Sequence, residues 1–227
     1  MKITILGTGP VGQTLAAKLD TIGHAVTIGT RDVSGTLARD AKDPYGNPPY
    51  KVWAAEHSQV QLDTMEHAAA RGEVIINALA GAGALAGLVL AGEANLAGKI
   101  VLDLSNPLDF SKGMPPSLFV SNTDSLGEQI QRRFPEARVV KTLNTVSASL
   151  MVDPRQLADG AHSMFVAGND PDSRRRVAGW LAEWFGWRDV IDLGDITTAR
   201  GTEMLLPLWL RTWGALNTPM FSFRVVR

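Results

Sequence analysis

The residues that most clearly point to a chemistry are three glycines close to the N-terminus. The segment Gly7-Thr8-Gly9-Pro10-Val11-Gly12 has the spacing G-x-G-x-x-G and lies between a short apolar run and a helical pattern. In this spacing Gly7 allows a tight turn, Gly9 lets the backbone approach a pyrophosphate, and Gly12 lets a helix pack closely on a strand. The first N–H groups of the helix then bind the anion, and Pro10 loses no helical hydrogen bond there. The motif therefore predicts a dinucleotide site, with a purely structural glycine turn as the alternative.

The residues after the second apolar run indicate which dinucleotide is bound. An NAD site usually has Asp or Glu here, because a carboxylate binds the 2′-hydroxyl of the ribose. This chain has Thr30-Arg31 instead, and a hydroxyl with a planar guanidinium suits a 2′-phosphate. We therefore predict NADP(H) as the cofactor. Asp32 lies one residue beyond the position where an NAD site has its carboxylate, so an NAD site stays open as an alternative. A second alternative is that Arg31 is simply solvated in a loop.

Two later loops are candidates for the rest of the site. Ala78-Leu79-Ala80 and Ser105-Asn106-Pro107 each come at or directly after the end of a predicted strand. Ligands of open α/β sheets bind at the carboxyl ends of the strands, and small residues let the chain pass close to a ribose. Ordinary packing explains these residues equally well. The residues predicted to line the cofactor are Ala78, Leu79, Ala80, Asn106 and Pro107.

A sheet is needed to bring these motifs together, and the chain alternates strand and helix patterns along most of its length. Short apolar runs predict strands, and apolar residues three and four apart predict helices. The predicted strands are Lys2–Leu6, Ala25–Gly29, Gln59–Leu62, Val74–Leu79, Lys99–Leu104, Arg138–Leu143, His162–Ala167, Val190–Leu193 and an edge strand at Phe221–Val226. The predicted helices are Pro10–Ile22, Thr64–Arg71, Ser125–Phe134, Pro171–Phe185 and Thr197–Asn217, the last kinked at Pro207. Residues 32–57 are expected to form an irregular surface excursion.

This alternation is typical of an α/β protein with a Rossmann-type, doubly wound and mainly parallel sheet. The sheet pattern ends near Gly194, where one long apolar helix begins. We predict an NADP-binding domain over residues 1–194. Residues 195–227 are predicted to form a short C-terminal helical extension that completes a second pocket or a dimer interface.

One uncharged stretch, Val74–Gly92, is about long enough to span a bilayer. Gly81, Gly83 and Gly87 interrupt it, so we expect instead a buried strand, a turn of small residues and a helix. No signal peptide is recognisable at the N-terminus. The prediction is a soluble, cytoplasmic protein.

Composition and charge exclude several other kinds of site. The chain has no cysteine, which excludes a disulfide framework, a thiolate metal site and a cysteine nucleophile. Its four histidines are not at metal-ligand spacing and its formal net charge is −1. We therefore expect no metal, no nucleic acid and no membrane as partners. Trp180, Trp184 and Trp187 predict core packing, whereas Trp209 and Trp213 suit a core, a dimer seam or a wall for an aromatic ligand, in that order.

Further motifs follow in order along most of the chain. After the glycine loop and Thr30-Arg31 comes Val139–Thr145, a strand that ends in an Asn-Thr pair. The later motifs are Val166–Asp170, Asp192–Gly194, Arg200, Glu203 and Leu206–Leu208. This series resembles the coenzyme F420 (deazaflavin)-dependent NADP reductases. The fold also resembles the cytosolic oxidoreductase domain of certain membrane ferric reductases, which use NADPH to reduce a flavin.

The resemblance implies a small homodimeric enzyme that moves a hydride between the nicotinamide of NADP(H) and a deazaflavin (F420) or flavin ring. Hydride transfer between two rings needs alignment more than proton transfer, so no catalytic acid or base is expected. The segment Asp40–Trp53 and the tail Pro219–Arg227 depart from the family pattern, so the hydride acceptor stays open. The resemblance also places the segment after the Asn-Thr pair near the nicotinamide. It adds four residues to the candidate site: Asn144, Val146, Ser147 and Ala148.

Two other functions are compatible with the sequence. An NADP(H)-sensing module without turnover has the same binding motifs, because function lies in the site rather than in the fold. An imine or β-hydroxyacid reductase resembles this chain at the N-terminus but appends a long helical domain, whereas little more than one long helix follows Gly194. Bound NADP(H) without activity toward any acceptor would favour the sensing module.

Overall fold

Strands from both halves of the chain form one sheet in the computed structural model, which describes residues 1–43 and 46–227. Within this range the strands are β1 (Lys2–Leu6), β2 (Ala25–Thr30), β3 (Gln61–Thr64), β4 (Val74–Asn77), β5 (Ile100–Asp103), β6 (Leu108–Asp109), β7 (Ser117–Leu118), β8 (Arg138–Thr142), β9 (Ser163–Ala167) and β10 (Asp189–Asp192). Eight of these described strands pair in the order β10-β9-β8-β5-β4-β1-β2-β3, and β6 pairs with β7 separately. Neighbours in the large sheet are parallel apart from β8 and β9. The prediction of a Rossmann-type, mainly parallel sheet is confirmed.

Helices cover both faces of this sheet. They are α1 (Pro10–Thr21), α2 (Val33–Ala38), α3 (Tyr50–Glu56), α4 (Met65–Arg71), α5 (Gly81–Ala91), α6 (Glu93–Leu96), α7 (Leu126–Arg133), α8 (Ala148–Val152), α9 (Pro171–Trp180), α10 (Ala199–Met204) and α11 (Leu206–Leu216). Polar side chains start several of them by accepting a hydrogen bond from a first-turn N–H. These N-caps are Asp32, Thr64, Ser125 and Asp170.

Two apolar layers, one on each face of the sheet, form the core. The layer that includes α1, α8 and α9 contains Ile5 and Ile76, and the opposite layer, with α4, α5 and α7, contains Leu6 and Ile75. Parallel strands covered on both faces bury successive side chains in both directions, which is why their sequences are continuous apolar runs. The predicted core packing of three tryptophans is confirmed by their burial: Trp180, Trp184 and Trp187.

The uncharged stretch from Val74 to Gly92 folds as the buried strand β4 and the helix α5, as predicted. One short segment, Ala78-Leu79-Ala80, separates the two elements. In the part of the chain that the structure describes, no helix is both long enough and apolar enough to cross a membrane.

Residues 32–57 are more regular than predicted. Instead of an irregular excursion they contain α2 and α3, so that prediction is wrong. Asp32 caps α2, and Tyr50 is buried at the start of α3. Each helix has at most seven residues, which is too few to display a helical period in the sequence. The segment Asp40–Trp53 includes residues 44 and 45, which lie outside the described residues.

The C-terminal part differs from the prediction in two places. The long helix is divided into α10 and α11, because Pro207 has no N–H to donate and starts a new helix rather than kinking one. The edge strand predicted at Phe221–Val226 does not form among the described residues. Ser163 N donates to Phe223 O at 3.0 Å, but Val225 N donates to the Ser163 hydroxyl at 2.9 Å. The Ser163 hydroxyl therefore accepts the hydrogen bond that a backbone carbonyl would accept in a β-ladder, and no strand pairing forms.

Candidate cofactor-binding site

The glycine-rich loop joins β1 to α1 and is fixed by the protein on its inner side. Gly7 has a φ of +120°, and its N–H donates to Gly29 O in β2 at 3.1 Å. A Cβ at Gly7 would lie 2.8 Å from the carbonyl oxygen of Ala78, and a Cβ at Gly12 would lie 2.2 Å from that of Gly7. Both glycines are therefore required by close backbone packing.

Gly9, by contrast, faces open space. A Cβ there would meet no atom of the described residues within 4 Å. Gly9 is the exposed N-cap of α1, and the Thr8 carbonyl beside it accepts a hydrogen bond from Gln13 Nε2 at 2.8 Å. Pro10 is exposed and Val11 is half-buried at the start of the helix. An anchored loop with an open helix N-terminus fits the pyrophosphate of a dinucleotide.

A cavity of about 450 Å³ lies between the glycine loop and the end of β2. Thr30 and Arg31 both line it, and so does Arg39 at the end of α2. Thr30 Oγ1 lies 2.8 Å from Thr36 Oγ1, so these two hydroxyls share a hydrogen bond. Among residues 1–43 and 46–227, neither Arg31 nor Arg39 is in a salt bridge with an acidic side chain. Two cations beside one cavity fit a 2′-phosphate.

Asp32 lines the same cavity, and one oxygen of its carboxylate, Oδ1, caps α2. Its carboxylate accepts hydrogen bonds from Gly35 N at 3.0 Å and from Ser34 Oγ at 2.8 Å. These bonds, that of the Gly35 N–H first, lower the pKa of Asp32 below its ordinary value. The carboxylate that kept an NAD site open is therefore the N-cap of α2.

The carboxyl ends of three neighbouring strands bring the other candidate residues together. We name the segments that follow them the β4 loop (residues 78–80), the β5 loop (residues 105–107) and the β8 loop (residues 143–148). Asn106 Nδ2 donates to Asn144 O, and Asn144 Nδ2 donates to Asn106 Oδ1, both at 2.9 Å. A Cβ at Gly81 would lie 1.8 Å from Asn106 O, so the chain after the β4 loop also touches the β5 loop. The three predicted segments meet, and their contact with a cofactor stays a prediction.

The β8 loop begins with a backbone conformation that is rare for leucine. Leu143 is buried and has a φ of +59°, and this left-handed region costs a residue with a Cβ roughly 1–2 kcal/mol. Asn144 and Val146 are buried beyond it, and Ser147 and Ala148 are half-buried at the start of α8. Backbone strain of this kind is concentrated at functional sites. The apolar strand pattern of the sequence carries no signal of it.

A buried group of charged side chains adjoins these loops, and we name Lys141, Asp103 and Glu203 the Lys141 cluster. Lys141 Nζ lies 2.8 Å from Asp103 Oδ2 and 2.8 Å from Glu203 Oε1, and it also donates to the carbonyl oxygen of Ser105. The three charged side chains are at most 2% exposed. Burial alone would lower the pKa of Lys141, but the two carboxylates outweigh it and raise that pKa above its ordinary value. Lys141 is therefore protonated.

A second cavity, of about 520 Å³, lies between α11 and the segment at Met114. Trp213 and Leu210 line it. Trp209 lies against Phe221 instead, with their ring centroids 5.2 Å apart. The two tryptophans that the sequence groups together therefore have different surroundings, one facing a cavity and the other packed against the tail.

The fold and the glycine loop define a Rossmann-type dinucleotide-binding protein. The model of a protein family described as NADP oxidoreductase coenzyme F420-dependent matches residues 2–107. The crystal structure of a protein from Arthrobacter sp. FB24, provisionally named an F420-dependent NADP reductase, is 58% identical, covers 100% of both chains and has a TM-score of 0.95. The chain belongs to this family of NADP oxidoreductases, and the resemblance found in the sequence is confirmed.

Two further relatives cover most of this chain. The F420-dependent NADP reductase of Methanothermobacter marburgensis is 29% identical over 212 residues, which are 92% of this chain and 90% of that protein. Metalloreductase STEAP3 of Rattus norvegicus is 28% identical over 213 residues, which are 92% of this chain. The match spans 38% of the length of that metalloreductase.

Proposed function

We propose that this protein binds NADP(H) and transfers a hydride between its nicotinamide and a deazaflavin (F420) or flavin ring. The observation that carries the proposal is the open position at Gly9 next to a cavity lined by Arg31 and Arg39. A backbone cradle suits a pyrophosphate, and two cations beside it suit the 2′-phosphate that distinguishes NADP(H) from NAD(H).

We assign the two halves of the cofactor to different parts of the site. The backbone N–H groups of Gly9, Val11 and Gly12 would hold the pyrophosphate, since Pro10 has none. Arg31 and Arg39 would hold the 2′-phosphate, with Thr8 and Thr30 beside them. The nicotinamide half would lie against the β4 loop, the β5 loop and the β8 loop. The contacts between Asn106 and Asn144 support this division, because they join two of those loops at one edge of the sheet.

When bound, NADP(H) supplies the hydride. The task of the chain is to align two rings and to exclude water, which needs no titrating side chain. The cavity lined by Trp213 and Leu210 offers apolar and aromatic surface, which suits a planar acceptor. We propose that residues 195–227 complete the acceptor pocket of the 1–194 domain.

Single-turnover kinetics test the proposal directly. Stopped-flow mixing of the enzyme and NADPH with F420, FMN, FAD or riboflavin should show reduction of the true acceptor. Deuterium at the transferable C4 position of NADPH should slow that reduction, and with F420 the label should appear at C5 of the product. Gly9→Val is the matched negative control. Binding of NADPH without reduction of any acceptor would favour the sensing module, and absence of NADPH binding would contradict the proposal as a whole.

We also propose a homodimer located in the cytoplasm. Leu208 and Leu216, eight residues apart on α11, are each 54% exposed. Exposed apolar side chains on one face of a helix are typical of an interface with a partner. The family resemblance supports the same assembly, and the cytoplasmic location stays a prediction.

A further inference from the structure

The Lys141 cluster makes hydrogen bonds directly to the β5 loop and, through Asn77, to the β4 loop, both of which we assign to the nicotinamide. Asp103 Oδ1 accepts from Ser105 N at 3.1 Å and from the Ser105 hydroxyl at 2.6 Å. It also accepts from Asn77 Nδ2 at 2.8 Å, and Asn77 Oδ1 accepts from Leu79 N at 3.3 Å. Together with the bond from Lys141 to Ser105 O, these contacts hold the β4 loop and the β5 loop from their inner side.

The same cluster reaches the C-terminal extension through Glu203 in α10. Glu203 accepts hydrogen bonds from Leu126 N at 2.8 Å and from Gly127 N at 3.0 Å, at the start of α7. Lys141 therefore connects α7 and α10 on one side with Ser105 on the other. A shift of α10 would act on the β5 loop through two hydrogen-bonded contacts.

Such a cluster is a costly way to fill a core. Buried ions lose their hydration, and well-packed apolar side chains in the same place are often equally stable or more so. Hydrogen bonds to chosen atoms supply something that apolar packing does not, because they fix a loop in one position and orientation. The cluster has this property at the carboxyl ends of β4 and β5, where two rings would have to be aligned.

We propose that Lys141 is a positioning residue for hydride transfer. Through Ser105 and Asp103 it fixes the β4 loop and the β5 loop, and through Glu203 it ties their geometry to the C-terminal extension. The proposal rests on the proposed function, since it takes these loops to hold the nicotinamide half of NADP(H). None of the three residues of the cluster lines the cavity beside Arg31, and of the two loops only the β4 loop reaches that cavity, through Leu79. Binding of the adenine half should therefore depend on the cluster much less than binding of the nicotinamide half.

Two ligands distinguish an effect on the position of the loops from a general effect on folding. NADP⁺ carries both halves, whereas 2′,5′-ADP carries the adenine half and its 2′-phosphate without a nicotinamide. Glu203→Gln removes one charge and keeps an oxygen acceptor for α7. The double variant Lys141→Met with Glu203→Gln removes one positive and one negative charge, so the net charge of the buried cluster is unchanged. Folding should be less opposed than in Lys141→Met alone, which would leave two buried carboxylates without a cation.

The matched control is Glu128→Gln. Glu128 also joins α7 to α10, through Arg200 at 2.6 Å, but its carboxylate bonds to Arg200 and Ser125 rather than to the Lys141 cluster. A general loosening of the extension would appear in this control as well. A specific effect on the loops would not.

Isothermal titration calorimetry and stopped-flow kinetics give the readouts. In both cluster variants we expect the Kd of NADP⁺ to rise about fivefold or more, with a clearly smaller change in the Kd of 2′,5′-ADP. The rate of hydride transfer at saturating NADPH should fall roughly 10- to 100-fold, and Glu128→Gln should behave like wild type. Equal weakening of both ligands, no change in either, or loss of folding in both variants would overturn the proposal. A wild-type enzyme that binds both ligands but reduces no acceptor would instead count against the proposed function.

Discussion

At the scale of single residues, Gly9 and Gly12 separate two demands on the glycine-rich loop. A Cβ at Gly12 would lie 2.2 Å from the carbonyl oxygen of Gly7, whereas a Cβ at Gly9 would meet no atom of the described chain within 4 Å. The protein itself excludes a side chain at Gly12. Under the proposed function, the bound cofactor excludes one at Gly9.

Gly9→Val is expected to abolish NADPH binding and to leave the fold intact, because its side chain would occupy the space assigned to the pyrophosphate. Gly12→Ala is the matched control, since overpacking there should lower the free energy of unfolding by about 1–3 kcal/mol. Fluorescence titration with NADPH and thermal unfolding distinguish the two effects. Wild-type affinity in Gly9→Val would remove the loop from the site.

Arg31→Ala and Arg39→Ala should each weaken NADPH binding by about 1.5–3 kcal/mol, which is typical of a hydrogen bond to a charged group. The double variant should lose less than the sum, because both side chains are assigned to one phosphate. NADH lacks the 2′-phosphate and serves as the internal control, so its affinity should hardly change. Equal losses for NADPH and NADH in parallel titrations would show that these arginines do not recognise the 2′-phosphate.

At the scale of elements, α7 gathers acidic side chains around its N-terminus. Glu203 accepts from its first N–H groups, and Asp124 precedes it. Arg132 in its last turn donates to Asp124 at 2.8 and 2.9 Å. Negative charge at this end of a helix is favourable because of the helix dipole. The Arg132 guanidinium holds the pKa of Asp124 at about 2 instead of 3.8.

This pair predicts a pH-dependent contribution to stability. Because the folded pKa of Asp124 is below the unfolded one, the stabilisation is present above pH 3.8 and is lost as the pH falls toward 2. Asp124→Asn should lower the free energy of unfolding at pH 7 by less than about 1 kcal/mol, since Arg132 is largely exposed. The difference from wild type should decrease as the pH falls from 3.8 and should be lost below pH 2, as measured by urea unfolding. In an Arg132→Ala background the substitution should have a smaller effect, because Gln129 and the Ser125 N–H still favour the carboxylate. A difference independent of pH would contradict the assignment.

The elements that the sequence predicts well are those whose burial pattern is strong. β1, β4 and β5 begin and end within two residues of the predicted bounds, because strands covered on both faces are mostly apolar. α2 and α3 are too short to show a period. The alternation in the tail reflects the contact of Phe221 with Trp209 rather than a strand. The local pattern of apolar residues therefore predicts that a segment is buried, but it does not predict which part of the chain the segment packs against.

The candidate site divides in the same way. The glycine loop is one short segment and Arg31 follows the next predicted strand, so both could be predicted from local pattern and spacing. Arg39 lies in a segment predicted to be irregular, so nothing marked it as facing the same cavity. The Lys141 cluster joins residues from β5, β8 and α10. A single sequence has no local signal for contacts of that separation.

At the scale of the whole molecule, α11 presents apolar side chains to solvent. Leu208→Glu with Leu216→Glu should convert the proposed dimer to a monomer, because two charges would be buried in the interface. Val89 and Leu90 on α5 are about equally exposed, at 49% and 50%, and the same substitutions there are the matched control. Light scattering at micromolar concentration gives the mass. A monomeric wild type, or dissociation in the control alone, would count against an interface on α11.

The exposed positions of Arg31 and Arg39 bear on how cofactor preference can evolve. Both side chains stand at the rim of their cavity, outside either apolar layer. Substitutions at such positions usually change stability by less than about 0.5 kcal/mol. Under the proposed assignment, selection can therefore act on the choice between two cofactor pools without first compensating a loss of stability. The preference for one cofactor can therefore change through substitutions that are neutral for stability, whereas substitutions at Gly12 or Lys141 would be removed by selection because they destabilise the fold.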